Sequence, residues 1–309
     1  MSTICLVTTL RAPLSEVMMF VNYHLNIGID KLILFFDDPN DPAIDSLIDY
    51  QQVTCIPCDQ EHWRKVRNYQ LSMMEERQIA NANLALEIAK ASGYDWITHI
   101  DSDELIYSEG EIARVLSEAK GNIVRFELRE AVPERDYYKR VFSEVTLFKK
   151  PASPLKQRVA KTFGCKRAFF GGLFFRGHVA SKSAVSLEAD VKSLEIHSGT
   201  LADPSIENTN RIKLLHFDCC GMDAWKTKWT RRLDGTATSN SLTVGKHNRY
   251  LQFEAFSTAH NEKSGRALLD LYRRLYVVPS SAKHILGLLG MVERIHIDAE
   301  LFDKPLGLG

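Results

Sequence analysis

Asp101-Ser102-Asp103-Glu104 is the stretch of this sequence whose residue types and spacing could do chemistry. Asp101 and Asp103 alternate along an extended chain end, so both carboxylates can point the same way. Two hard oxygen donors so placed suit Mn²⁺ or Mg²⁺ with coordination positions left open for phosphate oxygens. A cation there neutralises charge on a leaving diphosphate. Glu104 falls on the opposite alternation and is expected to brace the loop or accept a backbone N–H. An isolated Asp-x-Asp can equally be a solvated turn, so its place in the chain has to decide.

That place is informative. Trp96-Ile97-Thr98-His99-Ile100 reads as a short apolar strand that delivers Asp101 at its carboxyl end, where open α/β sheets bind ligands. Upstream, strand and helix signals alternate. Ile4-Cys5-Leu6-Val7 is a buried strand; Pro13 then opens a helix with Val17, Val21 and Leu25 at helical spacing, and Gly28 stops it. The runs Lys31–Phe36, closed by Asp37-Asp38-Pro39, and 53–56 are the continuous apolar strands of a parallel sheet covered on both faces. A helix over about residues 70–92 follows, with Ile79, Ala82, Leu86 and Ala89 on one face, bearing Gln78 and Asn81 and ended by Ser92-Gly93.

The second half is less regular. Strand-like segments run over 122–128, 141–148 and 211–217, with a Gly/Phe-rich stretch at 169–177. From Asp223 the pattern turns helical, with Trp225 and Trp229 four apart and Leu268, Leu271 and Leu275 on one face, broken at Pro279. The expected organisation is an α/β domain over residues 1–220, a mostly parallel mixed sheet flanked by helices, and a helical C-terminal extension over 221–309 on the acceptor side or against a membrane surface.

With the helix, Tyr94-Asp95-Trp96-Ile97 and the acidic run in place, the sequence resembles the glycosyltransferase family 2-like group with a GT-A (Rossmann-like) fold, in its Asp-x-Asp-Glu branch. The resemblance is carried by Arg67, Gln78, Ala80-Asn81 and 94–106, by 16–28 with Tyr23-His24-Leu25, and by Leu214-Leu215-His216-Phe217, which anchor most of residues 4–230. It implies a hexosyltransferase using a nucleotide diphosphate sugar, uridine-based, with a hydroxyl of a glycan or lipid-linked acceptor as the other substrate, in cell-surface polysaccharide synthesis.

By the same resemblance, the first strand–helix loop and the end of the second strand cradle the nucleotide, which points to Thr8, Thr9, Arg11 and Asp37, with Gln78 and Asp101 beside them. Arg11 offers a fork of donors to phosphate, and Asp37 can accept a base N–H or a ribose hydroxyl. A late histidine is implied as an extra ligand to the cation; His216 is the first candidate, with His178 and His197 behind it, while His99 reads as a packed residue. Inversion at the sugar needs a carboxylate base. Among Glu127, Glu130, Glu188, Asp190 and Asp218 no local signal distinguishes one, and Asp190 is taken as the candidate catalytic residue.

Composition limits the partners. Lys plus Arg equals Asp plus Glu at 39 each, so no global field argues for nucleic acid. Lys226, Lys228, Arg231 and Arg232 around Trp225 and Trp229 form a basic, aromatic stretch that could touch an anionic acceptor or a membrane surface, or be an amphipathic helix with two core tryptophans. No apolar run approaches the ~20 residues of a spanning helix. The N-terminus reads as a strand rather than a secretory signal. Cys55-Ile56-Pro57-Cys58 has no second Cys-x-x-Cys partner and sits at a strand end, so the six cysteines read as structural thiols of a reducing compartment. A cytoplasmic protein, peripheral at most to the inner face of the membrane, is the expectation. The competing readings are a non-catalytic nucleotide- or sugar-binding module of the same fold, and a nucleotidyltransferase, whose glycine-rich phosphate loop is missing from Thr8-Thr9-Leu10-Arg11.

Overall fold

The computed structural model describes residues 2–69, 71–176, 180–237, 248–262 and 264–305. In chain order the first half contains β1 (Ile4–Leu10), α1 (Leu14–Asn26), β2 (Lys31–Phe36), α2 (Ala43–Ser46), β3 (Val53–Pro57), α3 (Gln60–Val66), α4 (Met74–Ala91), β4 (Trp96–His99), β5 (Glu104–Ser108), α5 (Ile112–Ser117) and β6 (Ile123–Ala131). The second half continues with α6 (Val141–Glu144), β7 (Leu147–Lys149), α7 (Pro154–Thr162), β8 (Ser183–Ser186), β9 (Val191–Leu194), β10 (Gly199–Leu201) and β11 (Ile206–His216). Helices α8 (Met222–Leu233), α9 (Asn248–Asn261), α10 (Gly265–Tyr276) and α11 (Ser280–Leu288) then precede β12 (Val292–Arg294). The protein is thus α/β, with a mixed sheet flanked by helices.

Local chemistry sets the boundaries. Pro13 precedes α1 with its fixed φ, and Gly28 beyond the helix takes φ +94, a conformation that costs glycine little. Asp59 caps α3 by accepting from the His62 N–H at 2.8 Å. Ser153 and Ser264 cap α7 and α10 in the same way.

By its internal contacts the chain forms two compact units: Met1–Leu128 with Ala180–Leu214 and Asp298–Gly309, and Arg129–Val179 with Leu215–Ile297. A single boundary at 220 is therefore not where the contacts divide the chain. The reason is packing. Val132, Leu147, Ala160 and Cys165 share a core with Val278, Ala282, Leu286 and Met291 from the C-terminal region. The extreme C-terminal segment instead belongs to the first unit, where Phe302 stacks on Tyr23 at 5.2 Å and accepts from the Asn22 side chain.

In the first unit β3, β2, β1 and β4 are parallel neighbours in that order, and β8 and then β6 continue antiparallel. Leu32 to Phe36 are fully buried, as the continuous apolar run requires. Ala82, Ala85, Leu86 and Ala89 of α4 pack on Cys5, Val7, Ile33, Phe35 and Ile97 of the sheet. Each larger apolar side chain so buried contributes roughly 1.5–3 kcal/mol. The carboxyl ends of the four parallel strands lie on one edge, and the strand order reverses between β1 and β4. Ligands of open α/β sheets bind at such a switch point, and Asp101 follows β4 there.

In the second unit β7 pairs antiparallel with the end of β6 and with β12. Trp225 and Trp229 are completely buried among Phe256, Leu268, Leu271, Tyr272, Leu275 and Tyr276, so the basic, aromatic stretch is an amphipathic helix with two core tryptophans. The strand expected over 141–148 is instead a helical turn followed by β7: the Glu144 carboxylate reaches back to the Arg140 N–H at 3.1 Å, closing the turn. Lys149 is buried with its ammonium held by Glu130 at 3.2 Å and by the carbonyls of Ala168 and Phe174. Burial pulls that lysine down to about 7, against the opposing pull of Glu130. Of the described residues, no helix is long and apolar enough to cross a membrane.

Candidate functional site

The acidic block is a closed turn. Glu104 donates its N–H to the Asp101 carbonyl at 3.0 Å, and the Asp101 N–H donates to the Glu104 carboxylate at 2.8 Å. Glu104 therefore braces the loop as expected, but through a turn at 102–103 and not through the extended alternation assumed for the sequence, and it is fully buried. Asp101 and Asp103 are half-buried and reachable from solvent. Immediately downstream, α1 grips β5 on both sides of one residue: the Tyr23 hydroxyl donates to the Ile106 carbonyl at 2.9 Å, and the Ile106 N–H donates to His24 Nε2 at 3.3 Å. His24 Nδ1 bonds the Phe20 carbonyl, so the ring is a neutral tautomer, and burial holds its pKa down at about 3.

Polar side chains from the first half of α4 reach the carboxyl edge of the sheet. Gln78 donates its amide to Asp101 Oδ1 at 2.8 Å. Arg77 pairs with Asp37 at the end of β2, Nε to Oδ1 at 2.8 Å, and its Nη1 donates to the carbonyls of Leu71 and Ser72. Asn81, fully buried, donates to Thr9 Oγ1 at 2.9 Å and bonds His62 Nε2 at 2.9 Å. Arg11, just past β1, pairs loosely with Asp38 at 3.9 Å and is half-exposed. Thr8 alternates to the other face of β1; its hydroxyl is buried with no hydrogen-bond partner among the described residues. Of the two threonines, Thr9 is the one tied into this network.

Sequence reasoning missed Lys182. β8 runs antiparallel to β4, with Ala184 opposite Thr98, so the residue preceding β8 arrives at the carboxyl end of β4. Lys182 is fully buried there, with Nζ 3.3 Å from Asp101 Oδ2, 4.0 Å from Glu104 Oε2 and 2.7 Å from the Ile196 carbonyl. Burial pulls its ammonium down, but Asp101 and Glu104 outweigh that and hold it above its ordinary value. Burial pushes the Glu104 carboxyl well up, with Lys182 opposing. His99 bonds the Glu195 carbonyl at 3.2 Å and is a buried, packed residue, as expected. Burial and the Lys182 charge pull both His99 and His197 down to about 4, with Asp101 opposing. His197 thus feels the acidic block electrostatically.

Asp190 lies elsewhere. Ser186 stands opposite Trp96, and the Leu187 N–H donates to the Asp95 carbonyl, so the turn that carries Asp190 is at the amino end of β4. Its carboxylate is exposed and paired with Lys192. The strand order thus separates this carboxylate from the edge where the acidic block sits.

The second unit has its own buried polar cluster at the end of β11. Asp218, 1% exposed, is held by Arg249 and Lys228, each at 2.9 Å. Burial alone raises its carboxyl, but Arg249, Lys228 and His216 together hold it well below the usual range. A ring nitrogen of His216 and a carboxylate oxygen of Asp218 lie within 4.8 Å of each other. Cys219 takes φ +55, a left-handed conformation uncommon outside glycine, so the backbone after Asp218 is strained. An open cleft of about 380 Å³ in this unit is lined by Arg135, Arg167 and Arg273, with Asp136 held by Arg273 and Glu134 by Lys283 and Arg294. His178 lies outside the described residues.

The thiols give no sign of redox chemistry. All six cysteines are free, and burial pushes Cys55 to about 11 and Cys58 to about 12, away from the thiolate that reactivity needs.

The donor set fits a divalent cation. Hard, solvent-reachable carboxylates, Asp101 and Asp103, stand at a carboxyl-edge switch point.

No family model matches the chain. It is 25% identical over 244 residues to the glycosyltransferase-like protein At2g41451 of Arabidopsis thaliana, covering 69% of this chain and 53% of that protein. It is 28% identical over 173 residues to the glycosyltransferase-like protein At3g57200 of the same plant, covering 48% of this chain and 33% of that one. The chain therefore spans about half the length of one relative and a third of the other. Among solved structures, TarS 1-349 of S. aureus aligns over 92% of this chain and 83% of its own, at 11% identity and a TM-score of 0.39. HddC from Yersinia pseudotuberculosis aligns over 50% of this chain and 71% of its own, at 13% identity and a TM-score of 0.28.

Proposed function

We propose that this chain is a cation-dependent glycosyltransferase that moves a hexose from a nucleotide diphosphate sugar, uridine-based, to a hydroxyl of a glycan or glycolipid in cell-surface polysaccharide synthesis. The observation that carries the reading is the placement of Asp101 and Asp103 at the switch point between β1 and β4, beside Gln78 and the Arg77–Asp37 pair. Relatives named glycosyltransferase-like support it.

In this reading the first unit binds the donor. Arg11 offers its guanidinium to phosphate at the end of β1, and Asp37, oriented by Arg77, presents a carboxylate to the ribose or base. Asp101 and Asp103 hold Mn²⁺ or Mg²⁺, which supplies charge neutralisation to the leaving diphosphate. His216 as a further ligand rests on the sequence resemblance alone. The acceptor oxygen attacks the sugar C1 while the bond from C1 to the phosphate oxygen breaks, its electron pair leaving with the diphosphate. The acceptor proton goes to a general base, an inverting displacement if that base faces the leaving group. Asp190, exposed and at the amino end of β4, is poorly placed for that work, and the base is left unassigned.

Calorimetric titration of uridine diphosphate, with and without Mn²⁺, tests the reading on the wild type and on Asp101→Ala and Asp103→Ala. Binding that requires Mn²⁺ and is lost in both folded variants is expected. Binding indifferent to the metal and to both substitutions would remove the donor site from this edge.

A further inference from the structure

A buried lysine beside a cluster of acids meant for a cation is an unusual choice, because it brings one positive charge to a place that must attract another. Lys182 cannot swing away: its side chain is fully buried, and the Ile196 carbonyl anchors its ammonium at 2.7 Å. Its two carboxylate neighbours are held differently. Asp101 is gripped at both oxygens, Oδ1 by the Gln78 amide at 2.8 Å and Oδ2 by Lys182 at 3.3 Å. Glu104 is fully buried and bonds the Asp101 N–H, with Lys182 at 4.0 Å from the same oxygen. One ammonium therefore reaches both ends of the turn that carries the acidic block.

We propose that Lys182 is a positioning residue of this site, a resident positive charge that fixes Asp101 and Glu104 and sets how strongly the block attracts a divalent cation. The inference rests on the cation reading given above. A permanent charge among the carboxylates lowers their attraction for a free cation, by Coulomb repulsion at a few ångströms in a partly desolvated site. Cation uptake then depends on the further negative charge that a diphosphate brings. Lys182 makes no contact with the reacting atoms in this scheme; it acts through Asp101 and Glu104.

The test is calorimetric titration of Mn²⁺ alone into the full chain, as wild type, Lys182→Met and Asp103→Asn, each checked for folding by its thermal melt. Lys182→Met keeps the alkyl stem and removes the charge. It is expected to bind Mn²⁺ about tenfold tighter than the wild type or better, whereas a purely structural lysine would leave the affinity unchanged or lower it. Should Lys182→Met not fold, the pair Glu104→Gln and Lys182→Met/Glu104→Gln isolates the same charge without stranding a buried carboxylate, and the double variant is expected to bind tighter than the single one.

Unchanged or weakened Mn²⁺ affinity on removing the lysine, with Asp103→Asn still abolishing binding, overturns the role of Lys182 and leaves the cation reading standing. If neither the wild type nor any lysine variant takes up Mn²⁺ alone, the inference about Lys182 fails, and the same titrations repeated with uridine diphosphate present decide the cation reading: no Mn²⁺ uptake there overturns it as well.

Discussion

The Arg77 guanidinium fork faces both oxygens of Asp37, its Nη2–H donating to Oδ2 at 3.3 Å and its Nε lying 2.8 Å from Oδ1 out of line for a hydrogen bond, although the two residues come from α4 and the end of β2. The same guanidinium ties down the carbonyls of Leu71 and Ser72. Asp37 is therefore part of the scaffold before any nucleotide arrives. Asp37→Asn is expected to lower stability by about 1–3 kcal/mol without ligand, read as a fall in melting temperature. A melt unchanged by the substitution would show the fork to be idle.

Asn81 sits at the centre of a buried polar network, donating to Thr9 and the Cys58 sulfur and bonding His62. Replacing it by leucine leaves His62 and the Thr9 hydroxyl to find new partners in a closed space. A cost of about 2–4 kcal/mol is expected in urea unfolding, and a loss under 1 kcal/mol would mean that water takes over the amide's place.

Thr8 should behave in the opposite way. Its hydroxyl is buried without a partner among the described residues, so Thr8→Val removes an unmet polar group and keeps the shape. Stability is expected to hold or to rise by up to about 1 kcal/mol, with uridine diphosphate binding unchanged. Weakened nucleotide binding would restore Thr8 as a contact.

His24 gives the fold an acid sensitivity. Its folded pKa of about 3 lies below the unfolded value near 6.5, so the native state binds fewer protons. The stability it contributes is present above the unfolded pKa and is lost as pH falls from there towards the folded one, at about 1.4 kcal/mol per pH unit. Urea midpoints measured from pH 7 to pH 4.5 should decline, with a shallower slope in His24→Gln. Parallel slopes would place the proton uptake elsewhere.

The tryptophans test the membrane question. Trp63, Trp96, Trp225 and Trp229 are all at least nine-tenths buried. Their emission should start blue-shifted and stay unmoved when anionic vesicles are added. A further shift on vesicle binding would require α8 to open.

The legible parts of the sequence were those governed by short-range rules. Pro13 and Gly28 bracketed α1, and the apolar runs at β2 and β4 marked parallel strands, because periodicity and end signals are local properties. Glu104 was expected to brace the loop and does, but the turn at 102–103 replaces the extended alternation on which that expectation rested. Lys182 could not be found from local signals. It lies far along the chain from Asp101, and only the antiparallel pairing of β8 with β4 brings it to the block. Asp190 shows the same in reverse: as a residue type it qualified, but strand direction puts it at the other edge. The apolar run at 141–148 misled because Glu144 closes a turn on its own neighbour, a side-chain contact that no count of apolar residues registers.

The chain passes between its two compact units after residues 128, 179, 214 and 297. A genetic exchange that replaced one unit and spared the other would need a breakpoint at every one of those places. A single crossover cannot do it: any one breakpoint would leave segments of both units on each side or split a unit's own segments.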